Sequence, residues 1–188
     1  MTYRPITNYS SSKMNLEIET TFSFKEPLPS HNPFADGRFV QMLEGTQNLG
    51  NQTGWLPFHF KFEDTHTAGF IKTHSYGEFI FDWAWADLYN RVGLNYYPKL
   101  IHMVPFTPVN SPTVIGEKKI EILTAVKDFY ISQVPLSSHH LLFNTEEENQ
   151  ILESLGYFSQ ETTQYHWINR WKDFEDFLAS LKSRKRKQ

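Results

Sequence analysis

HSYGEFIFDWAWADLYNRVG, residues 74–93, is where the choice between sheet and helix is made in this chain. Its first part, EFIFDWAW, alternates, so a strand would place Phe79, Phe81 and Trp83 on one side and Glu78, Ile80, Asp82 and Ala84 on the other. Its second part, WADLYNRVG, takes up the spacing of a short helix that Gly93 stops. A strand running directly into a helix predicts a layered domain that mixes the two.

The flanks repeat that alternation of elements. Upstream, residues 1–30 are polar, carry Pro5, Pro27 and Pro29, and read as an irregular or partly paired arm. NPFADGRFVQMLEGT offers Asn32 as N-cap and Pro33 as first helical residue, with Phe34, Phe39, Met42 and Leu43 as an apolar face and Gly37 as its weak point. LPFHFKFED alternates as a strand. Downstream, LIHMVPF is a strand ending in the turn TPVNSP, and EKKIEILTAVKDFYIS places Ile120, Leu123, Val126 and Phe129 at helical spacing. SSHHLLF is strand-like, while TEEENQILESLGYF opens with a capping box, Thr145 with Glu148, and closes on Gly156. TTQYHWINR alternates as a long strand, and DFEDFLASLKSRKRKQ begins a helix with no terminator, faced by Phe174, Phe177, Leu178 and Leu181. The sum is an α/β or α+β domain with crossovers that make some strands parallel.

With 188 residues, 39% hydrophobic, the chain can bury the core of one domain. No apolar run reaches the roughly 20 residues that span a bilayer, and the polar start lacks the apolar core of a signal peptide, so a cytoplasmic protein is expected. Cysteine is absent, which removes disulfides, thiolate metal sites and a thiol nucleophile. The net charge of −3 conceals an asymmetry, because Lys182, Arg184, Lys185, Arg186 and Lys187 crowd the last seven positions. Residues 1–181 then carry 13 basic against 21 acidic side chains, a poor match to a phosphate backbone, and no specific nucleic acid is expected. The nine glycines never form Gly-x-Gly, which excludes a Walker loop, a dinucleotide fingerprint and the usual pyrophosphate loop of acetyl-coenzyme A enzymes. Neither the zincin His-Glu-x-x-His nor the hydrolase Gly-x-Ser-x-Gly occurs.

The opening stretch is therefore the best local candidate for chemistry. Asp82 would point away from its aromatic neighbours, and a carboxylate beside large apolar groups is either hydrogen-bonded or raised in pKa. Such a group accepts a proton from an amine nucleophile. Asp82 or Asp87 also suits the cap of a helix beginning near Ala86. His74 reads as a turn or surface histidine, with a catalytic base as the sharper alternative. Tyr96, Tyr97 and Lys99 of YYPKL would line a substrate groove, although a lysine there also fits a solvated strand end. Tyr76, Trp83 and Trp85 complete a candidate ligand-facing wall.

The runs KTHSYGEFIFDWAWADLYNRVGLNYYPKLIHMVPFTPV, LLFNTEEENQILESLGYF, QYHWINR and DFEDFLASLKSRKRKQ, in order over residues 72–188, resemble the FemAB-like family of peptidoglycan biosynthesis or recognition proteins, predicted N-acyltransferases. NPF at 32–34 and TGWLP at 53–57 are lesser matches upstream. The resemblance implies an acyltransferase fold of the N-acetyltransferase (GNAT) and Fem kind, a mixed, strongly bent sheet flanked by helices. It implies transfer of an acyl or aminoacyl group to an amine, with a peptidoglycan precursor as acceptor, acyl-coenzyme A or aminoacyl-tRNA as donor substrate and no tightly bound cofactor. Asp82, His74 and Asp87 are then the catalytic candidates. Tyr76, Trp83, Trp85, Tyr97, Lys99, Arg184 and Arg186 are the substrate-binding ones, the lysine and arginines meeting anionic groups.

Two departures from the family pattern stand out. DTHTAGFI is short and polar where the family carries a further apolar strand, so one core strand is expected to be missing or eroded. The chain also matches only a first half, which implies an N-terminal arm (1–30), a first acyltransferase domain (31–172) and the start of an inter-domain helix with a basic tail (173–188). The donor in the related Fem enzymes is handled largely by the second half, so a separate second half is the implied partner. A non-catalytic binding half-domain is the alternative.

Overall fold

The computed structural model describes residues 16–23, 33–34, 37–80, 82–132 and 136–182. In chain order they form β1 (Glu17–Glu19), α1 (Gly37–Gly45), β2 (Trp55–Pro57), β3 (His59–Phe62), β4 (Thr65–Thr67), β5 (Gly69–Lys72) and α2 (Trp83–Arg91). There follow β6 (Lys99–His102), β7 (Val114–Ile115), α3 (Lys119–Ser132), β8 (His139–Leu141), α4 (Glu146–Ser154) and α5 (Phe174–Ser180). The chain divides into two compact units, Met1–Phe158 and Ser159–Gln188.

The first unit is organised by one long hairpin. Trp55–Phe62 and Thr65–Lys72 run antiparallel in a single unshifted register, from Trp55 opposite Lys72 to Phe62 opposite Thr65. Glu63 and Asp64 make the two-residue turn, with Glu63 in the left-handed region such a turn requires (φ 54°). Midway the ribbon leaves one sheet, ordered β1-β3-β4-β7, and enters the other, ordered β2-β5-β6-β8. Phe58 N–H donates to the Gly69 carbonyl at 2.8 Å across that bend, and a Cβ at Gly69 would collide with the Phe58 carbonyl oxygen. The expected loss of a core strand at DTHTAGFI is thus overturned. THTAGFIK is the returning arm of the hairpin, and all four residues of β5 are buried. Its polar threonines lie inside too: Thr65 and Thr67 are fully buried, and Thr67 Oγ1 bonds His102 Nδ1 at 2.8 Å.

Both faces of the second sheet are covered. Alternation sends Ile71 and Leu100 into a core with Phe58, Phe60, Leu123, Val126 and Phe129, and sends Phe70 and Ile101 into another with Val40, Leu43, Trp55 and Met103. Helix α3 closes the first face, and α1 the second. β6 and β8 are parallel, which demands a crossover, and α3 lies in that connection. α3 buries Ile122, Leu123, Ala125, Val126 and Phe129, whereas Ile120, expected on the apolar face, is exposed. α1 starts at Gly37 rather than at Pro33 and buries Val40 and Leu43, leaving Met42 exposed; the expected cap Asn32 lies outside the described residues. The arm expected to be partly paired supplies β1, antiparallel to β3.

α4 begins with the capping box read from the sequence. Thr145 accepts from Glu148 N–H, and Glu148 Oε2 returns to the Thr145 N–H at 3.4 Å. The same carboxylate also accepts from Thr113 N and Val114 N through Oε1, at 2.8 and 2.9 Å, and so ties α4 to β7. Five donors satisfy a carboxylate that is fully buried, although burial still lifts its pKa above the ordinary value.

In the second unit TTQYHWINR does not form the expected strand: among the described residues, 159–172 have no regular structure. Alternation alone makes no strand without a partner edge. Instead Trp167, Trp171 and Phe177 pack with ring centroids 5.0–5.3 Å apart. α5 is capped by Asp173, which accepts from Asp176 N–H at 2.9 Å, and ends at Ser180, where Leu181 turns extended, so the unterminated helix is also corrected. The basic tail, with Arg184 and Arg186, lies outside the described residues.

Candidate functional site

Lys72 closes β5 and Lys99 opens β6, and the two are register partners. Trp55 partners Lys72 from β2. Directly opposed residues on antiparallel strands share a face, so Trp55, Lys72 and Lys99 form a row. Like charges opposite each other repel, and these two side chains are 0% and 1% exposed, beyond the help of water. The sheet tolerates them only because the chain between β5 and α2 folds over the row with opposite charge.

Lys99 Nζ donates to Ser75 Oγ at 3.0 Å, to Glu78 Oε2 at 2.7 Å and to Asp82 Oδ2 at 2.5 Å, which uses all three ammonium protons. Lys72 Nζ donates to the Tyr76 carbonyl at 3.1 Å, stands 3.7 Å from the centre of the Trp55 ring and lies 3.8 Å from Glu78 Oε1. Trp55 Nε1–H donates to that same Tyr76 carbonyl at 3.2 Å, and Tyr96 O–H donates to Asp82 Oδ2 at 2.7 Å. Two ammonium and two carboxylate groups therefore balance within one buried cluster. Glu78 Oε1 and Asp82 Oδ1 are buried oxygens with no hydrogen-bond partner among the described residues.

Burial dominates the electrostatics. It lowers the Lys72 ammonium to about 7; Glu78 opposes that fall, and the Lys99 charge adds to it. Burial also raises Glu78 above the ordinary carboxylate value, against the pull of Lys99. For Asp82 burial acts upward too, but hydrogen bonds from Lys99, Ser75 and Tyr96 prevail and hold it below its ordinary value. Asp82 is thus held ionised, and of the two alternatives open in sequence, hydrogen bonding rather than a raised pKa, it takes the first. Lys72 and Glu78 are the two members that burial pushes toward their neutral forms.

The stretch EFIFDWAW is not a strand. Glu78 and Asp82 both turn inward to the lysines, but among the described residues 78–80 and 82 belong to no strand, and the helix begins at Trp83. Asp82 occupies the N-cap position of α2 without capping it, because its carboxylate is committed to Lys99 and Tyr96. The start near Ala86 is corrected to Trp83, and α2 buries none of its residues. Tyr76, Phe79, Trp83 and Trp85 remain exposed, at 71%, 52%, 60% and 55%. Gly77 (φ 81°) makes the tight turn before Glu78; a Cβ there would meet the Phe106 ring at 2.7 Å and the Trp55 ring at 3.1 Å.

Asp82, Lys99 and Tyr97 come together, Tyr97 O–H through Ser75 Oγ at 2.9 Å. Lys99 is no solvated strand end. His74 stays at the turn: Nε2–H donates to the Thr53 carbonyl at 2.9 Å while Nδ1 accepts from Tyr76 N–H at 3.2 Å, which fixes a neutral tautomer that burial and Lys72 both favour. Asp87 lies on the exposed side of α2, 2.5 Å from the Arg91 guanidinium, and takes no part in the cluster. Arg184 and Arg186 lie outside the described residues. Sequence reasoning missed Lys72, Glu78, Ser75 and Trp55. The one local signal was a lysine ending the apolar run GFIK six residues before a glutamate.

A family model described as FemAB_like, peptidoglycan biosynthesis/recognition, matches residues 17–188. No curated protein and no solved structure matches the chain.

Proposed function

The chain belongs to the FemAB-like family of peptidoglycan biosynthesis/recognition, and from that premise we propose that it binds an amine acceptor on a cell-wall precursor and serves acyl or aminoacyl transfer to it. The observation that carries this reading is the buried Lys72–Glu78 pair beneath a turn of exposed aromatics. Acyl-coenzyme A or aminoacyl-tRNA is the donor in this proposal, with no tightly bound cofactor, on a fold of the GNAT and Fem kind. A second acyltransferase half would supply the donor site.

Amide formation needs a neutral amine. The acceptor ammonium gives up a proton, its nitrogen attacks the acyl carbonyl, the thioester or ribose-ester bond breaks, and the leaving thiolate or ribose oxygen takes a proton. Lys72, lowered to about 7, is the group in the cluster suited to accept the amine's proton near neutral pH. Acceptor bound at the Tyr76 turn would lie over it, with the Tyr76 backbone between them, so the proton reaches Lys72 only when that carbonyl contact parts. Asp82 acts by orienting, since its carboxylate fixes Lys99, which in turn holds Ser75 and Glu78.

The test incubates the full chain with UDP-N-acetylmuramyl-pentapeptide and either radiolabelled acetyl-coenzyme A or aminoacyl-tRNA, and reads label on the precursor. Transfer that is lost in Lys72→Met while precursor binding persists supports the assignment. Unchanged turnover in Lys72→Met removes Lys72 from it. Binding without transfer favours a second reading, a non-catalytic recognition module, which has its own support in the nearly complete burial of all four charged side chains.

A further inference from the structure

Lys99 spends its three protons on two carboxylates and Ser75, whereas Lys72, equally buried, finds far less. Among the described residues its one hydrogen bond goes to the Tyr76 carbonyl at 3.1 Å, and the carboxylate oxygen Glu78 Oε1 stands off at 3.8 Å. The other charges around it are Asp82, which attracts, and Lys99 on β6, which repels; His74, close enough to feel the Lys72 charge, is held neutral. A buried ammonium so sparsely supplied needs attraction from elsewhere. Lys72 Nζ stands 3.7 Å from the centre of the Trp55 ring. That is well inside the roughly 6 Å over which an aromatic face attracts a cation, and indole is the strongest such face.

The ring is held and the lysine is not. Trp55 is buried, with Phe106 at 4.8 Å and Phe70 at 5.5 Å between ring centroids, and its Nε1–H donates to the Tyr76 carbonyl at 3.2 Å. Lys72 reaches the same carbonyl on a flexible stem. A carbonyl oxygen has two lone pairs, so both donors bond it at once. When Lys72 parts from it the indole N–H remains, and no buried acceptor is left orphaned. A ring also differs from a counter-ion, because it favours the ammonium without supplying a full negative charge, and the proton can still leave.

We propose that Trp55 is the positioning residue of Lys72: its ring face sets the resting place and charge of the ammonium, and its N–H keeps the Tyr76 turn in place while Lys72 exchanges a proton with the acceptor. The inference deepens the acyl-transfer reading above and rests on that reading for the source of the proton. Trp55 touches neither reactant and acts through Lys72.

The full chain is produced with lysine isotopically labelled at Cε and with tryptophan, mono-, di- or trifluorotryptophan at position 55 alone. Fluorine withdraws charge from the ring face while keeping its shape and its N–H. The Lys72 signal is identified by its absence from Lys72→Met, and its titration midpoint is read by NMR. The midpoint should fall stepwise with fluorine, the affinity of Lys72 for its proton dropping at least about threefold with trifluorotryptophan. Trp55→Phe, which retains a ring, should keep more of that affinity than Trp55→Leu, which retains none. A change below about twofold across the fluorinated series, or any rise, overturns the inference, since a purely structural role is blind to fluorine. Transfer to UDP-N-acetylmuramyl-pentapeptide is followed against pH in the same proteins. A rate profile that moves with the midpoint supports the positioning role, and one that stays put while the midpoint moves overturns it. Absence of transfer by the natural chain sinks the acyl-transfer reading instead, and the midpoints then decide whether Trp55 governs Lys72.

Discussion

The antiparallel pair β5–β6 has two ends, and they solve the burial of polar groups in opposite ways. At one end Lys72 faces Lys99; at the other Gly69 faces His102. The His102 end is kept neutral. Thr67 Oγ1 bonds His102 Nδ1 at 2.8 Å, the His139 ring stands 5.0 Å away, and His139 Nδ1 bonds Tyr157 O–H at 2.6 Å. Burial lowers His102 to about 3 and pushes His139 well down, so both stay uncharged and need hydrogen-bond partners only. The lysine end keeps charge, and charge needs counter-charge as well as partners. Strands alone cannot supply it, so that end draws in Glu78 and Asp82 from the chain beyond β5 and, with them, displays Tyr76, Phe79 and Trp83. A buried charge thereby organises a surface, whereas a buried neutral group organises only its own neighbours.

The sharpest way to break that contrast is Lys99→Met. It leaves Glu78 and Asp82 buried without their shared donor and should cost about 3–5 kcal/mol of stability by urea denaturation. Adding Glu78→Gln and Asp82→Asn should restore part of it. A loss below about 1 kcal/mol would show that the charged end behaves like the neutral one.

The neutral end should reveal itself in acid. Unfolded histidines take up protons near pH 6.5, while His102 resists until about 3 and His139 is likewise held well below its ordinary value. The unfolded state then holds more protons, so stability falls as pH drops below 6.5, by up to about 1.4 kcal/mol per pH unit for each such histidine. Urea midpoints at pH 7, 6 and 5 read the slope, and a flat profile would contradict neutral burial.

A smaller slope of the same sign belongs to Lys72 on the alkaline side. Its folded value of about 7 lies below the ordinary 10.5, so between those limits the unfolded chain binds the extra proton and stability rises with pH. One group contributes at most about 1.4 kcal/mol per pH unit, and Lys72→Met should flatten the profile over pH 7–10. Smallest of all is Asp87→Ala. The exposed Asp87–Arg91 pair is remote from both ends, and its loss should change stability by only about 0.3–0.5 kcal/mol in a thermal melt.

These contrasts also mark what sequence could convey. α3, α4 with its capping box, and the strands at LPFHFKFED, LIHMVPF and SSHHLLF were legible because their signals are local: apolar spacing, a Thr-x-x-Glu start and bounding turns. EFIFDWAW was misread because its conformation is set by ion pairs to residues outside it, Lys99 being 21 positions from Glu78. Period-two alternation cannot register such a partner. THTAGFIK was undervalued for the reverse reason, since its threonines look exposed until His102 and the hairpin register account for them. Of the site, Asp82, Tyr97 and Lys99 were visible as residues, but Lys72 and Glu78 acquire meaning only when β5 and β6 are paired.

The unshifted hairpin also bears on how this chain can vary over generations. Trp55 and Lys72 lie near its open ends, and every pair from there to Phe62–Thr65 keeps one register. An unmatched insertion or deletion of one residue in either arm would carry the remaining side chains to the opposite face of the ribbon. Length drift is therefore tolerable only at Glu63–Asp64, where added residues merely enlarge the turn. Along the arms, descent is confined to substitution.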